Sequence, residues 1–190
     1  SLGLLAGCKP SDLASLVIEI GGDWSGVILT SSYADSDGRK GDLAGTDVDW
    51  QSSASVVVRR GAFDLEARRD FAVTDIRVER GAEDVAGLRR LIVTFPLGSG
   101  ARWHGAFAPV DGAVTCKSCL DPKSTDDDFG RIMKVKVELP VDCRSSSMVV
   151  DRDGFKPEAS GTTATLKIDL AAARQGRGQA TWVIDWNVED

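Results

Sequence analysis

Apolar and polar residues alternate with a period of two along much of this chain, the pattern of strands with one dry face and one wet face. The last stretch is the clearest. Trp182, Ile184, Trp186 and Val188 share one parity, Asp185, Asn187 and Glu189 the other, and Val183 is the single exception. Met133, Val135, Val137 and Leu139 alternate with Lys134, Lys136 and Glu138, and Ala164, Leu166, Ile168 and Leu170 alternate with Thr165, Lys167 and Asp169. Near the start, 16–20 and 24–30 form an early strand pair around the turn chemistry of Gly21-Gly22-Asp23.

The middle of the chain reads as a meander with strands near 56–60, 63–68, 71–79 and 88–97. Its parity slips by one at Thr74-Asp75, where a bulge or tight bend would restore a common inward face. A helix through 63–79 is the rival pattern, but Phe, Val, Thr and Ile there favour a strand. The one helical turn runs from Leu170 to Gln175 and stops at Gly176. Polar segments at 31–49, 111–129 and 142–161 interrupt the strands as long loops. These elements predict an all-β fold, an antiparallel β-sandwich of about eight to ten strands with long polar loops.

Composition sharpens this picture. A chain of 190 residues is long enough for one domain that buries on the order of 70% of its unfolded surface. With 23 basic and 29 acidic residues the formal charge is −6, which argues against a nucleic-acid partner. No stretch approaches the ~20 apolar residues of a membrane span. Eight arginines crowd 59–90, but seven acidic residues share that stretch, so cross-strand pairing on a wet face accounts for them.

Leu5-Ala6-Gly7-Cys8 ends a short apolar run and resembles the lipobox of bacterial lipoproteins. The resemblance covers Leu2 to Cys8 and not the rest of the chain. It implies a signal remnant over 1–8 followed by a single domain over 9–190, and a lipid anchor on Cys8 that makes the membrane a partner. It further implies an address in the bacterial cell envelope, on the outer membrane if the host is Gram-negative, because Lys9 rather than aspartate follows the cysteine.

The remaining thiols are Cys116 and Cys119, in a C-x-x-C, and Cys143. In an oxidising envelope a disulfide from Cys143 to Cys116 or Cys119 is the expectation. It would close a loop of about 25 residues and contribute about 3 kcal/mol. Four cysteines can form two bridges instead if Cys8 carries no lipid. A zinc site is weaker, since four ligands are needed and the single histidine, His104, lacks finger spacing.

Three further constellations bear on function. Asp35 and Asp37, and Asp151 and Asp153, sit in D-x-D-G stretches that suit calcium, although Asp-Gly is also turn chemistry. No other cofactor is expected. Trp24, Trp50 and Trp103 fall at strand ends or beside loops, where exposed indoles would suit sugar rings, with core filling as the plainer role. His104 is the only residue that could serve a Ser-His-Asp arrangement, and no nucleophile motif accompanies it.

The reading is therefore a non-enzymatic envelope lipoprotein, a binding or assembly component that meets an envelope protein, a polysaccharide or copies of itself. A filament subunit that donates residues 2–8 or 16–20 as an N-terminal strand is one alternative. A glycan-binding module is another.

Overall fold

A computed structural model describes residues 15–33, 49–53, 56–83, 86–104, 132–141, 148–150 and 152–187. They form two sheets and one short helix. The strands are β1 (Ser15–Ile20), β2 (Ser25–Tyr33), β3 (Asp49–Ser53), β4 (Val56–Asp64), β5 (Asp70–Val73), β6 (Ile76–Arg80) and β7 (Leu88–Pro96). They continue with β8 (Ile132–Glu138), β9 (Met148–Val150), β10 (Phe155–Ser160), β11 (Thr163–Asp169) and β12 (Gln179–Asn187), with α1 (Leu170–Gln175) before the last. Seven strands pair in the order β10-β11-β8-β1-β2-β4-β3 and five in the order β5-β6-β7-β12-β9. All pairs are antiparallel except β1 with β8.

The alternation in sequence is the alternation in space. Leu16, Ile18 and Ile20 of β1 meet Val135 and Val137 of β8 and Leu166 and Ile168 of β11 on the inner face of the larger sheet. Val78, Leu91, Val93, Phe95, Trp182, Ile184 and Trp186 line the inner face of the smaller one. All belong to one buried cluster, so the sheets are two halves of one sandwich. Ring pairs bridge them: Phe63–Phe71 at 4.8 Å, Phe95–Phe155 at 5.9 Å and Trp24–Trp186 at 5.3 Å.

Several expectations need correction. β1 lies fourth of seven, paired on both sides, so 16–20 is not free to be donated to a neighbour. The filament alternative then falls on residues 2–8, outside the described residues. The stretch 63–68 is not a strand of its own, because β4 runs on to Asp64. There the carboxylate accepts from the backbone N–H of Glu66 and Ala67 and turns the chain. The parity slip at Thr74-Asp75 is a complete reversal between β5 and β6, with Val73 paired to Ile76 and Thr74 at φ 57°. Polar 142–161 contains β9 and β10, edge strands whose outward residues leave little alternation to see. β3 begins inside the first polar segment.

The helical turn falls where the sequence puts it. Asp169 caps it, accepting from the N–H of Ala171 and Ala172, and the chain exits at Gly176. No helix among the described residues is long and apolar enough to cross a membrane.

The register gives the sandwich two unlike ends. Tight turns at 21–24, 65–69 and 161–162 close one of them. At the other end lie the first residue of β1, the last of β2 and the first of β8, together with the 74–75 turn, residues 97–104 and α1.

Candidate functional site

At the tight-turn end the loop between β1 and β2 is built by Asp23. Its carboxylate accepts from Ser25 N at 3.0 Å and from Ser25 Oγ at 2.6 Å, and the hydroxyl bond holds it below the usual carboxylate range. This brings Trp24 to φ 67°, an unusual conformation for a bulky residue, with its indole only 2% exposed. The ring lies on Trp186, and the guanidiniums of Arg80 and Arg89 stand 4.8 and 5.5 Å from its centroid. Arg89 donates to Gly22 O, while Arg80 pairs with Glu66 and, at 3.0 Å, with Glu83.

A cleft of about 270 Å³ opens beside this stack, lined by Glu66, Arg69, Arg80, Gly81, Ala82 and Glu83. Two carboxylates face two guanidiniums there, and Arg80 is already engaged by both acids. The lining carries no net formal charge, and the network serves to clamp the indole. Nearby, Asp185 is buried on the outer side of β12 with Arg90 donating to both its oxygens at 2.7 and 2.8 Å.

At the other end Asp75 does a comparable job. Its two oxygens accept from Arg102 N at 2.6 Å and Trp103 N at 2.9 Å, so the β5–β6 turn holds the 102–103 backbone. Trp103 Nε1 donates to Pro96 O at 2.7 Å, and the ring meets Phe95 edge-on at 5.6 Å. His104 packs edge-on against Trp103 at 4.7 Å and is 1% exposed.

Among the described residues neither imidazole nitrogen of His104 has a hydrogen-bond partner. The backbone of His104 itself and of Gly98 lies close enough to the ring to act on it. Burial lowers its pKa first and outweighs the opposing pull of its own backbone; the nearby Arg174 charge lowers it further, and Asp75 and the Gly98 backbone raise it less. Arg174 Nη2 donates to His104 O at 3.2 Å, and burial draws that guanidinium below its ordinary value as well. A neutral, enclosed imidazole with no hydroxyl, thiol or carboxylate in hydrogen-bond contact has nothing among the described residues to activate.

The sequence-derived candidates divide accordingly. Trp24 and Trp103 are core residues, not exposed platforms, because each indole fills a gap between the sheets. That corrects the sugar-stacking role for both. Trp50 lies in β3, paired in register with Arg59. Asp153 is exposed in the turn that carries the chain from β9 in one sheet to β10 in the other, next to Gly154 at φ 82°. The second D-x-D-G is thus turn chemistry at its described residues. Asp35, Asp37, Asp151, Cys8, Cys116, Cys119 and Cys143 lie outside the described residues. Among the described residues no three His, Cys, Asp or Glu side chains gather closely enough to hold a metal ion.

Three of the eight crowded arginines form ion pairs. Arg77 meets Asp70 at 2.8 Å and Glu79 at 3.1 Å, and Arg80 and Arg90 take the partners named above. The clamping role of Asp75 had no signal in the sequence, since its partners lie 27 and 28 positions downstream. A scan against family models, a search of curated proteins and a search of solved structures each find no match.

Proposed function

We propose that this chain is a non-enzymatic component of the bacterial cell envelope, anchored by lipid on Cys8, whose sandwich works by binding or assembly. The observation that carries the reading is the position of β1. Ser15 follows Cys8 by seven positions and enters the centre of the seven-stranded sheet. A link of that length spans at most about 25 Å even fully extended. A lipid on Cys8 would therefore hold the Ser15 end of the sandwich at the membrane surface and turn the tight-turn end away from it.

The chemistry of the interior agrees with a scaffold. Trp24, Trp103 and His104 are spent on packing, and Arg77 and Arg80 are engaged by neighbouring carboxylates. The decisive experiment is the intact mass of the protein extracted from its own membranes. The expected result is a chain that begins at Cys8 and carries a diacylglycerol adduct with acyl chains. A Cys8 that is free, or joined to another cysteine, overturns the reading.

A further inference from the structure

Trp103 and His104 are adjacent and both buried, yet they are held very unequally. The Trp103 backbone N–H donates to Asp75 at 2.9 Å, its indole N–H donates to Pro96 O at 2.7 Å, and its ring meets Phe95 at 5.6 Å. His104 is tied through its carbonyl oxygen, which accepts from Arg174 Nη2 of α1 at 3.2 Å. Its imidazole stands edge-on to the indole at 4.7 Å, with no hydrogen-bond partner for either nitrogen among the described residues.

Protonation turns both ring nitrogens into donors. An enclosed imidazolium would then carry a charge with its N–H groups unmatched, which costs far more than enclosing the neutral ring. Burial is the main obstacle to that charge, and the backbone of His104 relieves it only in part. Arg174 from α1 adds to the obstacle, while Asp75 from the β5–β6 turn and the Gly98 backbone offset it less. Asp75 already spends both oxygens on the N–H groups of Arg102 and Trp103, and the Arg102 side chain is exposed.

The least costly relief is local. Freeing Trp103 would empty a filled space between the sheets and break two hydrogen bonds. Freeing His104 breaks one long bond, returns the imidazolium to water and parts it from the like charge of Arg174. We propose that residues 103 and 104 form an acid-sensitive latch. Closed, the neutral ring packs on Trp103 and its backbone is tied to α1; protonated, His104 swings into solvent while Trp103 stays in the core.

Each pH unit below the ordinary imidazole range favours the open state about tenfold, until the closed ring itself takes the proton. The latch goes beyond the envelope reading and does not depend on Cys8. It sits at the end of the sandwich where β1 begins, the end that a lipid on Cys8 would hold at the membrane.

The test is NMR of the full chain with a soluble gadolinium chelate, between about pH 8 and about pH 5, across the range in which histidine changes charge. His104 supplies the single imidazole. Above the midpoint its ring protons should be displaced by the Trp103 ring current and untouched by the chelate. Below it they should lose that displacement and broaden with the chelate, while the Trp103 indole N–H stays sharp and in place. Arg174→Gln removes the like charge and should move the midpoint to higher pH. His104→Phe should abolish the step at the Arg174 Nε–H resonance.

A ring that takes its proton with the displacement intact and no broadening overturns the proposal, because it then titrates in place. So does a ring that stays neutral and shielded to the lowest pH. Loss of the Trp103 indole resonance in the same step overturns it too, since the whole segment then unfolds. An unmoved or lowered midpoint in folded Arg174→Gln removes Arg174 from the latch; if that variant does not fold, the chelate result on the unaltered chain decides alone. None of these readouts involves Cys8, so the latch and the lipid anchor fail separately.

Discussion

Asp185 and His104 are both ionisable, both almost wholly buried, and sit towards opposite ends of the sandwich, yet they are handled in opposite ways. Asp185 is matched by Arg90, which donates to both carboxylate oxygens from the neighbouring strand. His104 has no partner for either nitrogen among the described residues and is held neutral by burial beside a guanidinium. The difference is one of backbone context. A ladder fixes a cross-strand partner at a known distance, so a buried charge can be matched by a residue directly opposite. The 97–104 segment has no ladder, and its polar groups depend on whatever packs over them.

Removing what holds each end should expose this asymmetry. The largest effect is expected from Trp103→Ala, which empties the space between Phe95 and His104. A loss of about 4 kcal/mol should appear in chemical denaturation. Arg90→Ala strands the Asp185 carboxylate and should cost about 2 kcal/mol, short of the full penalty for a buried pair because Arg90 is about a third exposed. Restoration of stability by adding Asp185→Asn to that variant would tie the loss to the unpaired charge.

The third prediction concerns pH. The folded pKa of His104 lies below its ordinary value of 6.5, so the unfolded chain binds a proton more readily than the native one. The corresponding stability is complete above about 6.5 and is lost as pH falls from there towards the folded pKa. His104→Phe should flatten that part of the stability-against-pH curve. The single imidazole makes the native titration readable as one proton resonance. A resonance that titrates at its ordinary value while the fold persists would contradict the enclosed, neutral ring.

Smaller effects belong to the turns and the surface. Gly154 has φ 82°, and a Cβ there would come within 2.5 Å of the Ala172 Cβ. Gly154→Ala should therefore cost about 1–2 kcal/mol in thermal unfolding. Arg77→Ala removes two exposed ion pairs and should change stability by no more than about 0.5 kcal/mol, with added salt erasing the difference.

Much of the architecture was legible because burial and alternation are one phenomenon in a strand with a dry face. Leu16 to Ile20, Met133 to Val137, Ala164 to Ile168 and Trp182 to Trp186 all take their expected sides. Edge strands were harder to see. Phe155-Lys156-Pro157-Glu158 carries a single deeply buried anchor, so β10 looks like loop in sequence although it completes a sheet. The parity of β12 puts Asp185 on the face away from the core, but its burial depends on what lies across from it, and no parity rule reports that.

The tryptophans mark a similar boundary. Trp24 and Trp103 stand beside turns, where a sequence offers no reason to choose between platform and plug. The choice is made by the second sheet, which brings Trp186 against one and Phe95 against the other.

By itself, the order of residues determined that this chain makes sheets, where its helix turns, and which side of most strands is dry. Those properties are local, set by side-chain period and by the φ preferences of a few turn residues. Strand neighbours, the enclosure of His104 and its bond from Arg174 were decided only in three dimensions. Each depends on bringing together segments far apart in the chain, and residue spacing carries no record of which strand will lie beside which.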